Sequence, residues 1–583
     1  MSQEYKAKCK KCEREFFIRQ EDADFYKSIG VGDPTLCPNC RYQRRLINRN
    51  EWNLYQRKCD ATGEQIISIY RSDAPFPVYK QSAWWADNWD PLSFGQEIDF
   101  SRSFFEQFYE LSLKVPHLAV FNKESINSEY TNQSGNNKDC YLVVASNACE
   151  KCMYGNWYQA GCFLCGDCYD VEKSELCYEC LNIMRCYKCA FSRDIADCTN
   201  CQFSRDLKGC SDCFGCVGLR NRQYYYFNTR LSKEEYQAKM GQITWTREFI
   251  EEMNSKARKF SLNVPHKFYH GSKNIDFSGD YIEFAKNVHS SFNCKHAENL
   301  AYAQDAWWSK DSWDVTEVFS QRSYECQGCV VANSIGMRSC WDTHDSYYSD
   351  MCFGSSDLFG CFGLRQKHYC IFNKQYTKEE YGKLKARLIE HMRKTGEWGE
   401  YFPASLTPFA YNESVAQDYF PLTKEQVVAM GLTWHDKNAK DYKTTLTAKA
   451  LPKTIQEVDE TIIKQVIRCS SQESEETKAQ YLNCVTAYAI IPMELELYRT
   501  MNLPLPFKCF PCRRQDRFAL RNPRTLWNRE CSCGGEDSDN GNYRNQALHF
   551  HGKSHCRHEV NTSYSFDRPE IVYREVCYQA EVG

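Results

Sequence analysis

The chain has 583 residues, 35 cysteines and a formal net charge of -3. This length accommodates about three to five domains, and the near-neutral charge excludes a uniformly basic nucleic-acid-binding protein. The N-terminal residues lack the apolar core of a signal peptide, and no run of about eighteen apolar residues occurs, which predicts a cytoplasmic protein without a membrane segment. In that compartment thiols stay reduced, so CxxC pairs indicate metal ligands more readily than disulfides.

Residues 1–60 contain two CxxC knuckles, which predict an N-terminal zinc ribbon. Cys9 and Cys12 form the first knuckle, and Cys37 and Cys40 form the second. Two knuckles supply four thiolates, the tetrahedral ligand set that Zn²⁺ prefers. The alternatives are unligated surface cysteines or a single redox-active CxxC pair.

The surrounding pattern resembles a known family over residues 7–45. It consists of Cys9-x-x-Cys12, Phe16-Phe17-Ile18, Asp24-Phe25-Tyr26 and Cys37-Pro38-x-Cys40-Arg41, and it is similar to the bacterial "probable zinc-ribbon" domain. This resemblance implies a zinc site and no particular activity. The layout of the whole chain looks like that of large uncharacterised cysteine-rich bacterial zinc-ribbon proteins.

Residues 61–130 form an aromatic-rich connecting region without a metal-binding pattern, in which Phe104–Leu111 is typical of a short amphipathic helix. Paired tryptophans occur here and again later in the chain. They are suited to stacking bases or sugars, but an aromatic core that caps each solenoid is the favoured interpretation, since tryptophan is mostly buried. The two sets are Trp84, Trp85, Trp89 and Trp307, Trp308, Trp313.

Residues 131–230 carry a cysteine repeat of the form C-x2-C-x8-C-x2-C, spaced by 21 residues. A fixed period in this range is typical of a solenoid, and the short units predict β-solenoid coils. The thiols either stack as small apolar core residues or form zinc tetrads. The candidate ligands are Cys165, Cys168, Cys177, Cys180, Cys186, Cys189, Cys198 and Cys201. An iron–sulfur site is a minor alternative at two C-x2-C-x2-C runs, which lack the ferredoxin continuation.

A second solenoid copy is predicted at residues 263–375, after a helical connector at 231–262. Phe214–Arg220 returns almost unchanged as Phe359–Arg365. In this register only Cys216 and Cys361 coincide, which favours a packed core over a metal site, because a metal site does not survive the loss of its ligands. Each copy is followed by a capping box that predicts a helix, at Ser232 and at Thr377.

Helices and a linker are predicted at residues 376–468, with an exposed Lys- and Thr-rich connector from Asn438 to Lys453. Residues 469–583 then repeat the N-terminal module in degenerate form, most clearly near 484–531. Cys12, Cys37, Cys40 and Cys59 return at one offset as Cys484, Cys509, Cys512 and Cys531.

The fourth ligand of this second copy is missing, because Tyr481 stands where Cys9 stood. Cys469 is a candidate substitute from outside the motif, and a three-coordinate or empty site is the alternative. A further group of zinc-ligand types follows without CxxC spacing. It contains Cys531, Cys533, Cys556 and Cys577, with His549, His551, His555 and His558 nearby.

These elements predict a mixed, β-rich fold. Two duplicated β-solenoid-like cysteine and aromatic repeat domains are each followed by a helix, and zinc-ribbon or treble-clef-like modules flank them at both termini.

Three arginines after each knuckle pair lie on one face of a predicted helix. They are Arg41, Arg45 and Arg49 in the first module and Arg513, Arg517 and Arg521 in the second. Arginine on a metal-fixed helix suits phosphate contacts, which predicts a non-enzymatic zinc protein that binds RNA or DNA, with RNA preferred. A solvated helix face, or arginines packed on nearby aromatic rings, is the alternative interpretation.

The alternative function is a structural or assembly scaffold that self-associates or binds protein through its β-solenoids. An enzyme and a small-molecule substrate are not expected. The sequence contains no HExxH, GxSxG, phosphate-loop or dinucleotide-binding motif.

Overall fold

The computed structural model describes residues 4–317, 319–436, 442–481 and 483–582. The predicted connector from Asn438 to Lys453 therefore lies partly outside the described residues. The chain divides into two compact units, residues 1–120 with 271–436, and residues 121–270 with 437–583. The chain crosses between them, so that the N-terminal module shares a unit with the second solenoid and the C-terminal module shares one with the first.

The N-terminal module is a β-hairpin followed by two short helices. In β1 and β2 the strands are antiparallel, with Tyr5 opposite Ile18. Pro38 starts α2, where its missing N–H costs no helical hydrogen bond. The elements up to the first solenoid are β1 (Tyr5–Lys8), β2 (Glu15–Ile18), α1 (Gln20–Ser28), α2 (Pro38–Leu46), β3 (Tyr55–Lys58), β4 (Gln65–Ser68), β5 (Val78–Tyr79), α3 (Gln81–Trp84), α4 (Phe104–Lys114) and β6 (His117–Leu118).

The first solenoid begins at Asn122, before the expected boundary at residue 131, and consists of short parallel strands that end in an antiparallel hairpin. Its elements are β7 (Asn122–Lys123), β8 (Ser134–Gly135), β9 (Tyr141–Val144), β10 (Met153–Gln159), β11 (Tyr169–Glu172), β12 (Leu181–Met184), β13 (Arg193–Ala196), β14 (Thr199–Gln202), β15 (Ser211–Phe214), β16 (Gln223–Tyr226) and β17 (Thr229–Arg230). It is followed by α5 (Lys233–Gly241), α6 (Arg247–Ser261) and β18 (His266–Lys267).

The second solenoid has the same construction, in one sheet of twelve strands. Its strands are β19 (Gly271–Ser272), β20 (Ile275–Glu283), β21 (Lys286–Lys295), β22 (Glu298–Ala301), β23 (Lys310–Thr316), β24 (Phe319–Gln321), β25 (Tyr324–Gln327), β26 (Val330–Ala332), β27 (Trp341–His344), β28 (Ser356–Phe359), β29 (His368–Ile371) and β30 (Lys374–Gln375). The helices α7 (Lys378–Thr395), α8 (Ala416–Tyr419) and α9 (Lys424–Ala429) follow.

The C-terminal module returns to a small mixed fold. It contains β31 (Leu446–Thr447), β32 (Ile467–Arg468), α10 (Glu475–Gln480), β33 (Ala487–Tyr488), α11 (Pro492–Met501), α12 (Phe510–Ala519), β34 (Trp527–Glu530), β35 (Glu559–Thr562), β36 (Val572–Tyr573) and α13 (Glu575–Val582). The predicted capping boxes are confirmed. The Ser232 side chain accepts from Glu235 N, and the Thr377 side chain accepts from Glu380 N.

The coil of the first solenoid is twelve residues long rather than 21. Tyr169 pairs with Leu181, which pairs with Arg193, and Cys168 lies below Cys180 twelve positions on. The interpretation of the 21-residue spacing as a coil is therefore wrong. Every third residue faces the interior, and 12 and 21 are both multiples of three. Cysteines at either spacing are buried, but only those twelve apart stack.

The residue before each interior position has a left-handed backbone conformation, and this conformation turns the chain. Asp167, Asp170 and Glu179 have φ of 54°, 53° and 53°, a region that Asn and Asp tolerate better than most residues. Side chains at these corners form ladders, as where Asn182 Nδ2 donates to Asp194 Oδ1 at 3.1 Å. The tight corners explain how coils this short enclose a continuous core.

Candidate metal centres

The four cysteines of the N-terminal knuckles converge on one point. The Sγ atoms of Cys9, Cys12, Cys37 and Cys40 all lie within 4.8 Å of one another, and Cys12 Sγ is 3.7 Å from Cys37 Sγ. A tetrahedral zinc ion with Zn–S bonds near 2.3 Å separates its sulfur ligands by about 3.8 Å. The spacing therefore fits one zinc ion.

A strand and a helix position these thiols. Cys9 directly follows β1, and Cys37 is the N-cap residue of α2. Hydrogen bonding with the Cys40 thiol lowers the pKa of the Cys37 thiol to about 5, which favours the thiolate form that binds metal.

A hairpin and a helix that together present four thiolates are typical of a treble clef. Residues 3–49 match the family model of the probable treble clef domain. The treble clef and its four cysteines indicate a metal ion, with zinc the best fit to thiolate ligands.

The comparisons with known proteins add nothing further about activity. No curated protein matches the chain. A solved structure described as a "putative acetyltransferase" from Desulfovibrio desulfuricans is 10% identical, with 45% of this chain and 71% of that one covered and a TM-score of 0.10. A likeness at that level carries no argument. No helix in the described part of the chain is long and apolar enough to cross a bilayer.

Cys469 completes the degenerate C-terminal copy. Its Sγ groups with those of Cys484, Cys509 and Cys512 within 4.8 Å, and it lies 3.9 Å from Cys512 Sγ. Cys484 Sγ and Cys509 Sγ are 3.7 Å apart, as in the N-terminal site. Cys469 follows β32 as Cys9 follows β1, so a strand elsewhere in the chain supplies the ligand that Tyr481 replaced.

Cys531 lies in the separate C-terminal cluster, as the sequence predicted, and not with Cys484, Cys509 and Cys512. It lies with Cys556 and Cys577. A neighbouring set contains Cys533, His549, His551 and Cys577. The sequence places both histidines near the predicted cysteine ligands, and the structure adds them to the ligand set. His555 instead pairs with Asp539, at 2.8 Å.

The eight candidate solenoid ligands are buried in the core of the first solenoid. Their thiols donate to backbone carbonyls of the same coil or the next, as where Cys189 Sγ is 3.5 Å from Tyr187 O. Interior serines do the same, with Ser174 Oγ 2.8 Å from Glu172 O. Within the described ranges, the Cys and His groups with metal-site geometry all lie in the terminal modules. This placement matches the stacked-core interpretation.

The arginines of α2 are buried against the second solenoid. Arg41 and Arg45 are 1% and 0% exposed. Their guanidinium groups lie 2.9 and 3.2 Å from the two carboxylate oxygens of Asp314, and Arg45 also pairs with Glu325 at 3.0 Å. Arg49 pairs with Glu51 and Glu317. Burial raises the pKa of Asp314, and the two guanidinium groups oppose that shift.

The same arrangement recurs between α12 and the first solenoid. Arg513 and Arg517 lie 2.9 and 2.7 Å from the carboxylate of Asp167. Arg517 also pairs with Glu179 at 3.0 Å, and Arg521 stacks 3.9 Å over the Tyr169 ring. The prediction that these arginines are exposed and contact phosphate is wrong about where the side chains lie. They already pair with carboxylates of the same chain or, in the case of Arg521, pack on an aromatic ring. The alternative of arginines packed within the protein describes them better.

Three of the six paired tryptophans, Trp84, Trp307 and Trp313, are buried in unit 1. Trp84 is fully buried, and the Trp313 ring stacks on Phe25 of α1 at 3.9 Å. Trp85 and Trp308 differ, because they are 42% and 58% exposed. The aromatic-core interpretation therefore holds for Trp84 and Trp313, and Trp308 belongs to a surface.

Proposed function

We propose that this protein is a non-enzymatic, zinc-dependent scaffold. In each unit a metal-organised helix locks onto a β-solenoid, and the solenoid surface binds a second copy of the chain. The observation that carries this function is the burial of Arg41, Arg45, Arg513 and Arg517 in solenoid carboxylates.

Zinc organises the module, and the ion pairs then attach that module to the solenoid. A module of this size has too small a core to fold alone, so metal binding supplies folding free energy. Cys37 begins α2 and Cys40 lies in its first turn, so the metal site sets where Arg41 and Arg45 point. Removing one partner of such a buried ion pair costs about 3–5 kcal/mol. The metal therefore has a structural role in joining module to solenoid.

A row of stacked rings marks the interaction surface. Phe284, His296, Trp308 and Phe319, here called the aromatic strip, stack at centroid distances of 4.8, 5.3 and 5.6 Å. All four side chains are exposed. A continuous exposed apolar row is typical of an association surface. Evenly spaced flat rings are complementary to an inverted copy of themselves, which favours a two-fold dimer.

RNA binding is the second candidate, and the same strip supports it rather than the arginines. Exposed rings stack unpaired bases, and Lys273 Nζ lies 4.9 Å from the centroid of the Phe284 ring. Contacts of this kind would give weak, salt-sensitive binding.

The cysteines fit a reducing cytoplasm. None of the 35, which all lie in the described part of the chain, forms a disulfide, and in an oxidising compartment so many thiols would form mispaired disulfides.

Light scattering coupled to size-exclusion chromatography over a concentration series tests the scaffold. Mass should rise towards a dimer in the wild type. It should stay at the monomer value in a Trp308→Ala, Phe319→Ala variant, and Phe566→Ala should behave as wild type, since Phe566 is an exposed ring of the other unit.

Fluorescence anisotropy with mixed RNA and DNA oligomers at low salt separates the two candidates. A monomer that binds RNA saturably, and loses binding in the double variant, would replace the scaffold with the RNA-binding function. A monomer without saturable binding would exclude the strip as an interaction surface.

A further inference from the structure

We propose that the C-terminal module binds two zinc ions that share the thiolate of Cys577. This goes beyond the scaffold function, which requires only the two four-cysteine sites. Two ligand sets meet at this residue. The first contains Cys533, His549, His551 and Cys577, and the second contains Cys531, Cys556 and Cys577.

The first set has the dimensions of a zinc site. Cys533 Sγ lies 3.5 Å from His549 Nδ1, and Cys577 Sγ lies 3.5 Å from His551 Nε2. Zn–S bonds near 2.3 Å and Zn–N bonds near 2.05 Å at a tetrahedral angle place S and N about 3.6 Å apart. The side chains are thus held at ligand spacing.

In each histidine one ring nitrogen hydrogen-bonds to the protein. This bond orients the ring so that the second nitrogen faces the thiols. His549 Nε2 donates to Glu581 Oε1 at 2.8 Å, with both side chains fully buried. His551 Nδ1 donates to the Ser554 carbonyl at 2.6 Å. A carboxylate or carbonyl behind the imidazole is the usual support of a metal-bound histidine. Nδ1 of His549 and Nε2 of His551 are therefore left as the ligand atoms.

The number of ligands favours two ions over one. The two sets together contain four cysteines and two histidines, and a histidine binds metal as a neutral ring. A tetrahedral zinc ion takes four ligands, so one ion would leave two of these six side chains without a metal, whereas two ions that share Cys577 use all six. The second ion then has three thiolate ligands from Cys531, Cys556 and Cys577, with water as its fourth ligand.

The N-terminal half offers an internal contrast. Cys59 is the counterpart of Cys531 and accepts from Lys80 N at 3.3 Å, as Cys531 accepts from Arg574 N at 3.2 Å. Cys59 belongs to none of the metal-site groups in the described residues. The N–H···S bond alone therefore does not mark a metal site, and the converging thiols and imidazoles do.

Metal analysis and native mass spectrometry of the full-length protein test the shared ligand. We expect four zinc ions per chain. His549→Gln should lose one, Cys556→Ser should lose one, Cys577→Ser should lose two, and Cys59→Ser should lose none. If His549→Gln, Cys556→Ser and Cys577→Ser each lose the same single ion, the cluster holds one metal and the shared thiolate is excluded.

Cadmium-substituted wild-type protein gives a test that needs no variant to fold. ¹¹³Cd NMR should show two resonances from this cluster with scalar coupling through a common sulfur. X-ray absorption should show a metal–metal distance of about 3.5–4 Å. Uncoupled resonances without that distance would overturn the proposal. Loss of this cluster would leave the other two sites intact, so its failure is distinct from failure of the scaffold function.

Discussion

Arg41 Nη2 lies 2.9 Å from Asp314 Oδ2, and both side chains are almost fully buried. Arg513 and Asp167 repeat this pair at the same 2.9 Å in the other unit. The neighbouring position differs, since Arg44 pairs with Glu400 and Glu325 whereas Asp516 pairs with Lys508. The two units thus share one way of attaching a metal-fixed helix to a solenoid, and they vary around it.

Asp314→Ala should release α2 from the second solenoid. Two guanidinium groups lose their shared carboxylate, which costs about 3–5 kcal/mol in unit 1. Urea unfolding followed by hydrogen exchange measures this cost. Asp342→Ala is the matched control, because Asp342 has a similar left-handed φ of 53° but is exposed. Equal losses in the two variants would assign the effect to backbone strain rather than to the ion pairs.

Cys37→Ser should remove one zinc ion and unfold roughly the first 50 residues, because the module has little core of its own. The expected readouts are a fall of one zinc in metal analysis and rapid exchange in peptides from β1 to α2. Cys59→Ser serves as the control, since that buried thiol is outside the four-cysteine group. A normal exchange pattern in Cys37→Ser would show that the module folds without metal.

The sequence was sufficient to predict the N-terminal site, because both knuckles are local and their spacing is specific. The solenoid was predicted as a class, but its coil length was not, since the interior period of three makes 12 and 21 equally regular. Cys469 and the His549–Cys533 pairing were harder, because neither has the CxxC spacing that marks a zinc knuckle. The burial of Arg41 and Arg45 could not be predicted, because nothing in the sequence around Asp314 marks this solenoid corner residue as their ion-pair partner.

Cys201→Ser should leave the zinc content unchanged and lower stability by only about 1–2 kcal/mol. Cys201 Sγ lies 3.4 Å from Thr199 O, and Ser204 Oγ makes the equivalent bond to Gln202 O at 2.9 Å. Serine hydroxyls therefore already donate this kind of bond in the core, and a hydroxyl at position 201 can do the same. Metal analysis with urea unfolding checks both parts, and the loss of a zinc ion would make Cys201 a ligand.

Acid should weaken unit 1 through His117. Burial lowers the pKa of His117 to about 3, and its Nε2 donates to Ser112 O at 2.8 Å. The unfolded chain binds a proton below about pH 6.5 and the folded chain does not, so stability is full above that pH and falls as pH drops towards 3. At pH 5.5 the loss is about 1.4 kcal/mol.

Urea unfolding at pH 7.5 and 5.5 measures that loss against His117→Gln, which retains a donor near Nε2 without titrating. The wild type should lose about 1.4 kcal/mol more than the variant between the two pH values. The same pH dependence in both proteins would show that His117 is not responsible.

Hydrogen exchange of the full-length protein before and after zinc removal tests the central claim most directly. When a chelator has removed the metal, amides in α2 and α12 should exchange roughly 100-fold faster, as expected for the loss of about 3 kcal/mol of local stability. Amides in the solenoid core between Cys165 and Cys216 should keep their protection. If α2 and α12 remain protected after metal analysis shows that the zinc has left, zinc does not hold these helices on the solenoids.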